Sequence, residues 1–153
     1  MKKIFLFFSM LLAMGLSSAC SSDDDNDDGD ILVIYHALDK NGIEATTFSY
    51  RDELLLELIV TNKTNKTIKY NDWRELAKGV FLVYNHEGKL FNPILTDDLM
   101  MKPVTIEPGK NFCRQLIWPW DLMPLPVGQY TSTCTIDIEK LKEKIHITNF
   151  EIK

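Results

Sequence analysis

Leu54-Leu55-Leu56-Glu57-Leu58-Ile59-Val60-Thr61 is the stretch that decides the fold. Apart from Glu57 its residues are β-branched or leucine, and its side chains sort with period two. Leu54, Leu56, Leu58 and Val60 would line one face of a strand, and Leu55, Glu57, Ile59 and Thr61 the other. A helix would need a 3.6-residue stripe, which this run lacks.

The same reading extends to both sides. Residues 31–38 predict an opening strand, and 80–84 (Val-Phe-Leu-Val-Tyr) a buried one that stops at Asn85. Asn85-His86-Glu87-Gly88 reads as a turn into Lys89–Phe91. Pro108-Gly109 punctuates strands over 103–107 and 111–118, and Tyr130–Ile138 and Ile145–Ile152 complete the set. Helical signals are confined to a turn or two at Arg74–Lys78 and Glu139–Lys144. Many short strands at turn-punctuated spacing predict an all-β protein, an antiparallel β-sandwich of about seven to nine strands. Asn-Lys-Thr-Asn-Lys-Thr at 62–67 is a strand connection rather than a repeat.

Upstream, the chain carries an address. Lys2 and Lys3 precede an apolar run, Ile4–Leu16, which is followed by Ser17, Ser18 and Ala19 and then Cys20. This is secretory signal architecture, too short to span a bilayer comfortably. Residues 1–19 are therefore set apart from the fold. Residues 20–30 contain Asp23, Asp24, Asp25, Asp27, Asp28 and Asp30, which repel one another and bury nothing, so they read as a solvated tether. The partial calcium-loop pattern Asp24, Asn26, Asp28, Gly29, Asp30 has Tyr35 where a bidentate Glu is needed.

Residues 31–153 form one domain. The whole chain has 17 Lys+Arg and 22 Asp+Glu. With Lys2, Lys3 and the six tether aspartates removed, the domain is nearly neutral and has no basic excess for nucleic acid.

Two resemblances follow from these residues. The signal ending at a lone Cys resembles a bacterial lipobox, with Ser17 where Leu is usual, and the Ser-Asp-Asp-Asp run after Cys20 resembles the export signal of Bacteroidetes surface lipoproteins. That implies lipidation (palmitate among the acyl chains) at Cys20 and an outer-membrane anchor facing the exterior. Each buried methylene of such an anchor contributes about 0.8 kcal/mol. In the domain, Thr61-Asn62-Lys63-Thr64, then Ile106-Glu107-Pro108-Gly109-Lys110, then Pro126-Val127-Gly128-Gln129-Tyr130 resemble bacterial immunoglobulin-like modules, and BsuPI-type proteinase inhibitors share the outline. The resemblance implies topology, with Tyr130 anchoring a corner through its hydroxyl. Its functional implication is a non-catalytic binding or structural module, with a proteinase inhibitor as the alternative.

Candidate sites are few. Cys113 and Cys134 remain after lipidation and suggest a disulfide in an oxidising compartment. If strands 112–118 and 129–137 pair with Ile117 opposite Tyr130, the two cysteines face each other. An immunoglobulin topology places the strands in opposite sheets with both thiols inward, and two free buried thiols are the third arrangement.

Trp118-Pro119-Trp120-Asp121-Leu122-Met123-Pro124-Leu125-Pro126 is held out of regular structure by three prolines. Buried, it caps the sandwich; exposed, Trp118, Trp120, Leu122 and Met123 would meet an unknown protein or glycan. Trp73 poses the same question. Leu99-Met100-Met101 reads as core. His36, His86 and His146 have no metal-ligand spacing, and no nucleophile elbow, phosphate loop or zinc helix motif is present. The expectation is no enzyme, no cofactor and no metal.

Overall fold

The computed structural model describes residues 31–93, 102–137 and 144–153. The signal segment, Cys20 and the tether lie outside these residues, as do Leu99-Met100-Met101 and residues 139–143 of the second helical expectation.

Ten strands and one helical turn are described: β1 (Ile31–Leu38), β2 (Thr47–Phe48), β3 (Leu55–Asn62), β4 (Ile68–Tyr70), α1 (Trp73–Leu76), β5 (Ala77–Asn85), β6 (Leu90–Phe91), β7 (Val104–Ile106), β8 (Asn111–Ile117), β9 (Gly128–Ile136) and β10 (Lys144–Ile152). The count exceeds the expected seven to nine because β2 and β6 are two-residue strands. A sheet ordered β1-β3-β8 faces one ordered β2-β10-β9-β5-β6, and β4-β7 form a side ribbon. All pairings are antiparallel except β2 with β10. With β2 and the side ribbon set aside, the two sheets hold the first, second and fifth main strands and the third, fourth, sixth and seventh. That is the immunoglobulin-like arrangement.

The opening stretch behaves as its period requires. Leu54, Leu56, Leu58 and Val60 are wholly inaccessible to solvent. Phe81, Leu116, Phe150 and Ile152 from the other strands are buried in the same core. Each such side chain contributes about 1.5–3 kcal/mol of burial. Trp73 is core as well. Asp72 caps α1 by accepting from the Arg74 N–H at 3.0 Å.

Two corners are fixed by local chemistry. At Glu107-Pro108-Gly109-Lys110, the Lys110 N–H donates to Glu107 O at 3.0 Å and Gly109 takes φ +73°, which a type II turn demands. At the start of β9, the Tyr130 hydroxyl donates to Pro126 O at 2.6 Å, the corner that the resemblance implied.

β5 carries a bulge between Lys78 and Leu82. Gly79 there has φ +59° and the buried Phe81 φ +64°. A bulky residue in that region costs about 1–3 kcal/mol. A buried hydroxyl network offsets it. Tyr35 Oη accepts from the Phe81 N–H at 3.2 Å and lies 2.7 Å from Ser132 Oγ, which donates to Leu82 O at 3.1 Å. The network ties β1 to β9 and the bulge across the core. Burial pushes the Tyr35 phenol well above its usual range.

The cysteine expectation is corrected. Ile117 pairs with Leu55 and Tyr130 with Phe150, so β8 and β9 lie in different sheets. Cys113 lies on the solvent face of its sheet and Cys134 is in the core, and both thiols are free. The inward arrangement holds for Cys134 alone.

Strand direction defines two poles. Ile31, where residues 20–30 join, pairs with Asn62. At the other end of β1, Leu38 pairs with Leu55, which pairs with Ile117. The 118–127 loop therefore leaves from the pole opposite Ile31, about 25 Å away along β1.

Candidate functional site

The pole distal to Ile31 is built from the 39–46 hairpin, residues 49–53 and the 118–127 loop. The prolines there stop the sheet, and the freed backbone folds on itself. The Leu122 and Met123 N–H groups both donate to Pro119 O, at 3.0 and 2.9 Å. This turn divides the four expected contact residues.

Trp118 is 2% exposed, and its indole N–H donates to Met123 O at 2.8 Å. It caps the core and is unavailable to a partner, which corrects its assignment as a contact. Met123 packs partly against the core. Trp120 is half-buried; its indole N–H donates to Asp52 O at 2.7 Å, clamping the loop to residues 49–53. Leu122, between these fixed points, is 87% exposed.

The structure adds residues that sequence reasoning missed. The Tyr50 ring meets Trp120 edge-on, with centroids 5.8 Å apart at 72°. Its backbone N–H donates to Lys153 O at 2.8 Å. Arg51 holds φ +69° with its guanidinium 5.7 Å from the Tyr50 ring centroid. Val127 is 70% exposed beside Gly128. Of the nine exposed large apolar residues among those described, five stand at this pole: Ile43, Tyr50, Ile117, Leu122 and Val127. Tyr50 and Arg51 were legible only as a Tyr-Arg pair ahead of a strand. The edge-on rings form no coplanar platform of the kind that sugar stacking requires.

A second feature was also missed. On the solvent face of β1-β3-β8, Glu57 stands between His36 and Gln115 in register. His36 Nε2 lies 2.8 Å from Glu57 Oε2, while Gln115 Nε2 and Cys113 Sγ donate to Oε1 at 2.5 and 3.5 Å. Burial acts to raise the Glu57 carboxyl, but the hydrogen bonds from His36, Gln115 and Cys113 prevail and hold it below the usual range. Burial, then the Glu57 carboxylate, push the Cys113 thiol up, so it is no activated nucleophile. The lone acidic residue inside an apolar strand was the available signal.

Among the described residues, no group of three or more His, Cys, Asp or Glu side chains could hold a metal ion. His36, His86 and His146 stand in β1, in the β5–β6 turn and in β10.

No protein-family model matches the sequence, and no curated protein matches it. Among solved structures, the chain is similar to the CARDB domain of the PF1109 protein from Pyrococcus furiosus, described in complex with di-metal ions. The TM-score is 0.46 at 14% identity, covering 81% of this chain and 90% of that one. A likeness of that size carries no argument. The immunoglobulin-like assignment rests on the strand order and on the Tyr130 corner.

Proposed function

We propose that this chain is a lipoprotein anchored in the outer membrane through Cys20. Its immunoglobulin-like domain would face the cell exterior and act there as a non-catalytic binding module, with the distal pole as the recognition surface. The observation that carries the proposal is placement. The tether joins at Ile31, and most of the exposed apolar side chains gather at the opposite end, around Leu122. Lipid would fix one end, the aspartate-rich stalk would hold the domain off anionic headgroups, and the clamped loop would be presented outward.

A protein partner suits this pole better than a glycan, because four of its five exposed large apolar side chains are aliphatic and its rings lie edge-on. The tight turn at 119–123 also favours docking on a surface over insertion into a protease cleft, which takes an extended segment. Screening a panel of proteases addresses that alternative: inhibition at stoichiometric ratios would make the chain an inhibitor instead.

A photo-crosslinking residue at position 122, compared with one at position 63 near the tether, tests the proposal on intact cells. Discrete protein adducts at 122 and none at 63 are expected. Equal labelling at both positions, or labelling at 63 alone, would sink the distal pole as the recognition surface.

A further inference from the structure

The end of the sandwich at Ile31 carries a lysine platform built on one buried side chain. Asn62, which pairs with Ile31, is wholly inaccessible to solvent and organises the two turns around it. Its N–H donates to Lys110 O at 3.0 Å, and its carbonyl accepts from the Gly109 N–H at 2.7 Å. Its side-chain amide donates to Lys66 O and to Ile106 O, both at 2.8 Å. Its Oδ1 accepts from the Thr64 N–H at 3.0 Å and from the Thr64 hydroxyl at 2.7 Å. The backbone around Lys63, Lys66 and Lys110 is thus pinned, while all three side chains are exposed. Among the described residues, none of the three ammonium groups has an ion-pair partner. Against these cations the two turns, 62–67 and 107–110, contain a single carboxylate, Glu107.

We propose that this platform docks the chain's own aspartates, Asp23, Asp24, Asp25, Asp27, Asp28 and Asp30. Two observations select that occupant. The first is position. Ile31 stands opposite Asn62, so the next step of the same antiparallel register sets Asp30 opposite Lys63. Opposite charges facing each other on neighbouring strands attract. The second is charge. Residues 20–30 hold six aspartates and no Lys or Arg, the complement of three unpaired lysines. Exposed ion pairs are weak one at a time, but covalent adjacency supplies a high effective concentration. An outside polyanion or a lipid headgroup would have to displace a run that is already attached. Docking would give the stalk one direction of exit and keep the lysines from drawing this pole onto anionic headgroups. The Leu122 pole would then point away from the membrane. The proposal rests on the preceding section only in that residues 20–30 stay on the mature chain.

The mature full-length chain, in micelles of a neutral detergent at low salt, is treated with a carbodiimide, which joins an ammonium to a carboxylate where the two touch. Peptide mapping should find links from the aspartate run to Lys63, Lys66 or Lys110. The pair Lys78–Asp137, with its charged atoms 2.7 Å apart, is the positive control. Links to the run should fall several-fold at high salt, as the screening length shrinks to about 3 Å at 1 M. A second readout is acetylation of the lysines. Replacing the six aspartates with Asn should speed it several-fold at Lys63, Lys66 and Lys110 and leave Lys40 and Lys153, at the far pole, unchanged. No link to the run, equal links to Lys40 and Lys153, or acetylation unmoved by the substitutions overturns the proposal. Mixed light and nitrogen-15 chains should give links within one chain, and heavy–light links would overturn it. In bilayers containing phosphatidylglycerol the links should persist; their loss would assign the lysines to lipid headgroups instead. A mature chain that begins beyond residue 30, read from its intact mass, would overturn the platform's occupant and the Cys20 anchor together, whereas the other contrary results leave the anchor standing.

Discussion

Tyr130 and Pro126 close the corner between the two sheets: the phenol donates to the Pro126 carbonyl at 2.6 Å, four residues back along the chain. The bond ties the last turn of the 118–127 loop to the first residues of β9. Tyr130→Phe keeps the ring packing and removes the donor. It should lower unfolding free energy by about 0.5–1.5 kcal/mol, read as a lower urea midpoint at unchanged slope.

Trp118 and Leu122 are four residues apart and have opposite fates. Trp118→Ala empties a filled core position and should cost about 3–5 kcal/mol. Leu122→Ala touches only solvent and should change stability by no more than about 0.5 kcal/mol. Thermal melts of the two variants check the contrast. A large loss for Leu122→Ala would mean that the loop tip packs rather than projects.

The cysteines give a prediction that needs no mutation. Cys134 is buried, with its thiol pushed up to about 12 by burial, whereas Cys113 is exposed. Iodoacetamide should label Cys113 in the native domain and both thiols after denaturation, and reductant should leave the melting temperature unchanged. A mass two hydrogens short of the dithiol form, returning on reduction, would mean that the strands pair otherwise.

Glu57 predicts acid sensitivity. Its folded carboxyl sits below the usual range, so the unfolded chain binds the proton more readily. By linkage, its contribution is fully present above the unfolded carboxylate value, about 4.3. It is lost as pH falls through the lower folded value. Glu57→Gln should flatten the decline in stability below about pH 4.3 relative to the unsubstituted chain. Identical pH profiles in chemical denaturation would show that the carboxylate is not held as described.

The strands were legible because alternation is a local property: Leu54 to Thr61 states its own two faces. Pairing was not. The partner of β8 is β3, with Cys113 across from Ile59, and nothing near residue 113 names a residue so distant in sequence. The facing arrangement of Cys113 and Cys134 required β8 to pair with β9, whereas the two strands lie in different sheets. The turns at Pro108-Gly109 and Tyr130 were legible because their stereochemistry is local. The 118–127 loop was recognisable as unusual from its tryptophans and prolines. Whether Trp118 or Leu122 faces water depends on where Met123 O and Asp52 O fall, which only the tertiary fold decides. Glu57 stood out as the lone acid of its strand, but its partners His36 and Gln115 were hidden for the same reason.

The most direct measurement is protease shaving of intact cells, with antibody detection of the domain. The account predicts that the domain signal disappears without breaching the outer membrane, and that Cys20→Ser releases the protein from the membrane fraction. A domain protected until the outer membrane is opened would contradict the exterior placement and confine the Leu122 pole to periplasmic partners.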